Sequence, residues 1–270
     1  MFDGIGWKAM KNRQRGKKWI AALAPYIGVL IVLAIWAVLC RLEIFSTYVL
    51  PTPQKVFDSF CKALRSGELA EDVLISLGRV LKGFSIAFVL AFVLGMLRLF
   101  LPAAEKYYDA MLQFFRNVPP LSLIPLLILW CGIGETTKTI IIVLAAFFPM
   151  YLNIVKGFVG CDQKLLEVGE AFGYSRLRKF IHIVLPYASA DILVGMRIGM
   201  GYSWRAIIGA EMIAASSGIG HMILFAQELS RTDRVIVGIF VIGLVGLATD
   251  KLFGFLLKKL FGGADGNGWN

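Results

Sequence analysis

The chain is 270 residues long, 58% hydrophobic and only 17% charged, with a formal net charge of +10. With a mean hydropathy of +0.73, this composition excludes a water-soluble fold and marks a polytopic membrane protein. The excess of positive charge would suggest nucleic acid in a soluble protein, but here it gathers at residues 8–18, around 156–179 and at Lys258-Lys259. The positive-inside rule assigns those segments to the cytoplasm, and no nucleic-acid partner is expected.

Residues 1–18 read as a basic cytoplasmic N-terminus. Residues 19–40 are an uncharged apolar run of the length that crosses ~30 Å of hydrocarbon. The run is too long for a signal peptide and lacks an A-x-A cleavage site, so it reads as a retained span. With the following external segment it makes a unit over 19–73. In that segment Leu50-Pro51-Thr52-Pro53 is a stiff turn, and 54–64 predicts an amphipathic helix at the outer surface, with Val56, Phe60 and Leu64 on one face. A multi-span core follows over 74–260. Its first span is 74–97, where Arg79 and Lys82 are expected to snorkel toward the outer headgroups. Residues 98–106 form a short inner loop.

The third span, 108–131, contains Arg116-Asn117-Val118-Pro119-Pro120 and then Pro125. Prolines are tolerated in a span where other groups satisfy the freed carbonyls, often beside a cavity. This predicts a break in the helix near a translocation path; a loop–helix boundary at the cytoplasmic face is the alternative. GIGETTK at 132–138 is not a phosphate-binding loop, because Thr137 stands where the second glycine should be and a span rather than a strand precedes it. It reads as an outer turn. No other stretch offers a nucleotide site, and no nucleophile–base pair appears, so the chain is not expected to be an enzyme.

The fourth span is 139–155, with Pro149 near its inner end. The loop 157–188 is the long polar interruption of the second half. Asp162 can cap a short helix that puts Leu165, Val168 and Phe172 on one face. Gly173 suits a helix stop in the left-handed conformation. Ser175 can cap a second helix carrying Arg176, Arg178, Lys179 and His182 and ending near Pro186. A DNA-binding helix-turn-helix could look like this in a soluble chain, but the flanking spans disfavour it. The fifth span, 191–213, carries Arg197, Tyr202, Ser203, Trp204, Arg205 and Glu211, and any charge among them is costly against lipid. Arg197, Trp204 and Glu211 recur every seven residues and share a face. They either line a pore or pair structurally with neighbours. An outer segment (214–233), a sixth span (235–257) and a flexible tail (261–270) complete the chain. Six spans put both termini in the cytoplasm. The four cysteines and two histidines show no metal-ligand spacing, so no metal site is expected.

Glu167, Gly173 six residues later, and Ile183-Val184-Leu185-Pro186 keep the spacing of the EAA loop of binding-protein-dependent ABC importer permeases. In that pattern Glu-Ala-Ala is followed by three residues, Gly, nine residues and Ile-x-Leu-Pro. Val168 and Gly169 depart from it where the family has alanines, and Gly169 is expected to loosen the first helix by up to ~1 kcal/mol. Arg116–Pro120, Ile124-Pro125-Leu126, Gly132-Ile133-Gly134-Glu135, Trp204, Ala210-Glu211-Met212 and Gly218-Ile219-Gly220 resemble the nitrate, sulfonate and taurine branch of these permeases. The match runs from about residue 50 to 250.

The resemblance implies an all-α, six-span permease of the type I importer (MetI-like) fold, working as a homodimer in a bacterial inner membrane. It implies a cytoplasmic ABC ATPase gripping 167–186, with Glu167, Val168, Gly169, Gly173, Ile183, Leu185 and Pro186 as coupling residues. An external solute-binding protein would deliver a small, anionic solute. ATP and magnesium would belong to the ATPase, leaving no cofactor in this chain. The candidate translocation path is Arg116, Pro119, Pro120, Arg197, Trp204, Arg205 and Glu211. A permease of the same class for a thiamine-precursor-like solute, a secondary transporter working without ATP, and a scaffold remain as alternatives.

Overall fold

The computed structural model describes residues 27–261, and every regular element among them is helical. The basic residues 1–18, the start of the first apolar run and the tail from 262 lie outside the described residues. Eleven helices are described: α1 (Ile27–Arg41), α2 (Pro53–Arg65), α3 (Glu68–Phe100), α4 (Glu105–Asn117), α5 (Ile124–Cys131), α6 (Glu135–Val159), α7 (Gln163–Ala171), α8 (Arg176–Lys179), α9 (Leu185–Ala214), α10 (Ile219–Glu228) and α11 (Thr232–Phe261). Four helical runs, those containing α3, α6, α9 and α11, are long and apolar enough to cross a membrane; α4 with α5 makes a bent fifth, and α1 is a shorter apolar helix at the first predicted span. Six crossings are compatible with this arrangement.

The spans are longer than their apolar runs. α3 has 33 residues rather than the predicted 74–97, so at 1.5 Å per residue it reaches ~50 Å and projects beyond hydrocarbon. Its extra turns hold Glu68, Glu71 and Asp72, which hydropathy assigned to a loop. α6 likewise begins at Glu135, inside the expected outer turn; only Gly132–Gly134 is non-helical there, with Gly132 at φ +77°.

α3, α6 and α9 form the core, with Ile142, Ala146, Met150, Ile154 and Phe158 of α6 buried between the other two. Small residues let the axes close up: a Cβ on Gly199 would stand 2.5 Å from the Met150 thioether methyl, and one on Gly157 2.8 Å from the Ala188 Cβ. Dispersion and close backbone approach drive association where lipid removes the hydrophobic difference.

α2 starts one residue before the predicted helix, capped by Thr52, whose hydroxyl accepts from the Lys55 N–H. Its buried face is Val56, Ser59 and Ala63 against α11 and α3, whereas Leu64 is exposed. The expected Val56–Phe60–Leu64 face is therefore rotated toward the small residues Ser59 and Ala63, which let α11 approach.

The third span is broken. α4 ends at Asn117, Val118 is extended at φ −86°, ψ 118°, and a 3-10 turn (Pro120–Leu123) leads into α5, the two halves meeting at 92°. A residue before proline is driven out of the helical region, and consecutive prolines remove two donors. The predicted inner loop before this span shrinks to Leu101 and one 3-10 turn (Pro102–Ala104), closed by an Arg98–Glu105 ion pair at 2.5 Å.

The second helix of the polar loop does not end near Pro186. α8 passes into a π turn (Phe180–Val184) and then into α9, a continuous helical run from Arg176 to Ala214. The wider π turn lies directly N-terminal to Pro186, where the ring would otherwise meet an α-helical carbonyl. The segment 214–233 is also not a plain loop, because α10 buries Ile219, Met222, Ile223 and Ala226 against α9 and α11.

Candidate functional site

Three places concentrate functional chemistry: a knob at one end of the bundle, a cleft halfway along it, and a charged cluster at the far end.

The knob is α7, its turn and α8. The Asp162 carboxylate caps α7 by accepting from the Lys164 N–H at 2.9 Å, and the Ser175 hydroxyl caps α8. Gly173 lies at φ +66°. The Tyr174 N–H donates to the Gly169 carbonyl and the Gly173 N–H to the Glu170 carbonyl, the two crossed bonds of a Schellman stop. A Lys179–Glu170 pair at 2.5 Å and the Arg178 guanidinium 4.6 Å above the Tyr174 ring fix the angle between the helices. Lys179 holds the Glu170 carboxyl below its ordinary range.

Gly169 has a packing role besides any loosening effect: it is buried, and a Cβ there would lie 2.6 Å from the Ile183 Cδ1 and 3.2 Å from the Lys179 Cγ. It lets α7 lie against the π turn. Glu167 is exposed, and Leu165, Val168 and Phe172 form an uncovered apolar stripe, with Phe172 74% exposed. Leu185 is half-buried and Pro186 exposed where the knob enters α9.

The cleft, of about 460 Å³, opens between the α4–α5 break and the middles of α6 and α9. Arg116, Pro120, Phe148, Pro149, Tyr202 and Arg205 are among its lining residues, with the rest of the wall apolar. Arg205 stacks over Tyr202 at 5.8 Å. Two guanidiniums and no carboxylate line it, so it offers positive potential between low-dielectric walls.

The structure thus brings Arg116, Pro120 and Arg205 together, with exposed Pro119 at the break itself. It does not bring Arg197, Trp204 and Glu211 to that cleft. Arg197 makes a bidentate pair with Asp250 of α11 at 2.6 and 2.7 Å. Trp204 is buried and donates its indole N–H to the Ile242 carbonyl of α11 at 3.0 Å. The shared seven-residue face looks into the bundle.

Glu211 belongs to the far-end cluster. It is fully buried and accepts from the Arg79 Nη1 (2.7 Å), the Ser76 hydroxyl (2.8 Å to Oε2) and the Gly220 N–H (3.0 Å). Arg79, 11% exposed, also donates to Glu135 and to the Ser217 carbonyl, and Glu135 receives Lys138 at 2.6 Å. Asp72 accepts from the Gly218 N–H and Ser76 from the Ile219 N–H. Arg79 therefore does not snorkel, because the buried Glu211 and the exposed Glu135 at the rim of the bundle compensate it; Lys82 is exposed. Sequence reasoning missed this assembly. The available signal was the concentration of Asp72, Arg79, Glu135, Lys138 and Glu211 at predicted far ends of spans, where unpaired charges would be costly.

Residues 83–262 match the family model described as the inner membrane component of binding-protein-dependent transport systems. The chain is 38% identical over 249 residues to a Bacillus subtilis (strain 168) protein named for aliphatic sulfonates transport, the permease protein SsuC, covering 92% of this chain and 90% of that protein. It is 32% identical over 260 residues to the taurine transport system permease protein TauC of Escherichia coli (strain K12), covering 93% and 94%. It is 30% identical over 246 residues to the nitrate import permease protein NrtB of a Synechocystis strain, covering 87% of each. Among solved structures, an inward-facing form of the MetNI methionine ABC transporter superposes with a TM-score of 0.51 at 16% identity, over 69% of this chain and 93% of the matched one.

Proposed function

The chain belongs to the family of binding-protein-dependent transport system inner membrane components, and from that premise we propose that it is the permease subunit of an ATP-driven importer for a small anion of the aliphatic sulfonate, taurine or nitrate type. The observation that carries the anion is the cleft: Arg116 and Arg205 share it without a carboxylate among its lining residues. A sulfonate or nitrate entering it exchanges water for guanidinium hydrogen bonds, which are strong because both partners are charged. The apolar walls suit the alkyl part of a sulfonate.

In this reading ATP hydrolysis resides on a separate cytoplasmic subunit that grips the knob. The exposed Leu165–Val168–Phe172 stripe and Glu167 support this role, since an apolar stripe on a polar loop is the kind of surface a partner covers. Gly173 sets the angle of the knob, Gly169 and Ile183 hold α7 against the π turn, and Leu185-Pro186 conduct force into α9. A second copy completes the path, an external binding protein delivers solute, and both termini face the cytoplasm of a bacterial cell. Nucleotide binding shifts the population between inward-open and outward-open states.

The test is uptake of labelled taurine, ethanesulfonate and nitrate into vesicles holding the purified complex. ATP-dependent uptake of at least one of them is expected. Arg116→Gln and Arg205→Gln should each lower it by ~10-fold, as loss of a charge-assisted hydrogen bond of ~1.5–3 kcal/mol predicts, without loss of the ATPase. Uptake that ignores ATP, or that is unchanged in both variants, would contradict this assignment.

A further inference from the structure

The far-end cluster ties four elements at one point. Asp72, Ser76 and Arg79 come from α3, Glu135 and Lys138 from α6, and Glu211 from α9, while Ser217–Gly220 forms the turn into α10. The turn is moulded around the carboxylate. Gly218 is at φ +104°, and a Cβ there would stand 2.4 Å from the Glu211 Oε1; a Cβ on Gly220 would stand 2.4 Å from the Ile208 carbonyl oxygen. No other residue fits without displacing the buried charge. Two cations, Arg79 and Lys138, balance Glu135 and Glu211. Ser76 relays between the partners, donating to Glu211 and accepting from the Ile219 N–H.

A contact that opened in every transport cycle would leave Glu211, with no exposed surface, unpaired away from water each time. Removing one partner from a buried pair is strongly unfavourable, and a fully satisfied buried network acts as a rigid unit. The other end of the same helical run is the knob, since Arg176 to Ala214 is continuous and Glu211 lies in its last turn. Between them lies the π turn, where the helical hydrogen-bond ladder changes register.

We propose that Arg79 and Glu211 are positioning residues that form a permanent anchor, holding the far ends of α3, α6, α9 and α10 as one body throughout transport. Force entering at the knob then turns that body as a whole, and the path opens between it and the more weakly packed α4–α5 pair or a second copy. The proposal rests on the importer reading above.

The experiment uses the purified complex of the full chain with its ATPase, reconstituted in vesicles. In a chain with its native cysteines replaced by serine, Glu71→Cys on α3 and Gln227→Cys on α10, both exposed positions, carry spin labels. The anchor predicts a label distance that stays within ~2 Å between nucleotide-free and vanadate-trapped complexes, whereas a change of ~5 Å or more, the scale of one element sliding a turn past another, would overturn it. Independently, Arg79→Gln and Glu211→Gln should keep the ATPase bound while uptake per ATP hydrolysed falls by ~10-fold. Either variant assembling normally and transporting with unchanged coupling would also overturn the anchor. If no ATPase associates even with the parent chain, the importer reading fails instead, and the two failures are distinct.

Discussion

Gly173 shows how much of the knob depends on one residue. At φ +66° its N–H and that of Tyr174 close the Schellman stop, leaving α7 and α8 at a fixed angle. A β-branched side chain would be held in the left-handed region at a cost of ~1–3 kcal/mol. No neighbour lies within 4 Å of the missing Cβ, so that cost is backbone strain rather than a clash. Gly173→Val is therefore expected to fold and reach the membrane while its knob changes angle, and ATP hydrolysis should run with uptake reduced several-fold. Unchanged coupling in that variant, read by uptake and phosphate release in the same vesicles, would count against the knob as the point of force transfer. This residue was legible in sequence because a helix stop is a local event. Arg79 was not, because its partners Glu135 and Glu211 lie 56 and 132 positions away and only packing brings them together. The same holds for Trp204, whose acceptor in α11 is 38 positions on.

At the level of elements, hydropathy located the spans but not their ends. Charged turns of α3 and α6 are helical because their side chains find partners in other helices, which local composition does not register. The break at Val118–Pro120 was readable, since proline acts on its own neighbourhood. Proline at 186 misled for the same reason: the π turn before it carries the helix past a residue that normally ends one. Within the knob, the two helices are joined by an exposed pair, Lys179 with Glu170, that keeps the Glu170 carboxyl below its ordinary value of 4.5. A carboxyl depressed on folding lends support that is complete above its unfolded value and is lost as pH falls through the lower folded one. Protection of the Gly173 and Tyr174 amides against hydrogen exchange, corrected for intrinsic rate, should therefore be constant from neutral pH down to about that ordinary value and decline below it. Glu170→Gln should have less protection at neutral pH and lose this dependence. A wild-type profile flat to pH ~3 would remove the pair as a support.

For the molecule as a whole, the arrangement is a lever. The knob, the α9 run and the far-end cluster lie in sequence along one continuous helical path, and the cleft with Arg116 and Arg205 opens beside its middle. Exposed apolar side chains on α1, α3, α5 and α11 cover the flanks, a distribution that hydrocarbon accepts and water does not. The knob projects from such a body with an uncovered apolar stripe, and the central claim is that an ATPase covers it. The direct measurement is gentle affinity purification of the tagged chain from native membranes, with identification and stoichiometry of what accompanies it. The account predicts a soluble ATPase in fixed ratio to the permease, retained by Arg205→Gln and released when Glu167 and Phe172 are replaced by alanine and lysine. A homogeneous assembly of this chain alone, still able to move taurine or nitrate down an ion gradient, would contradict it.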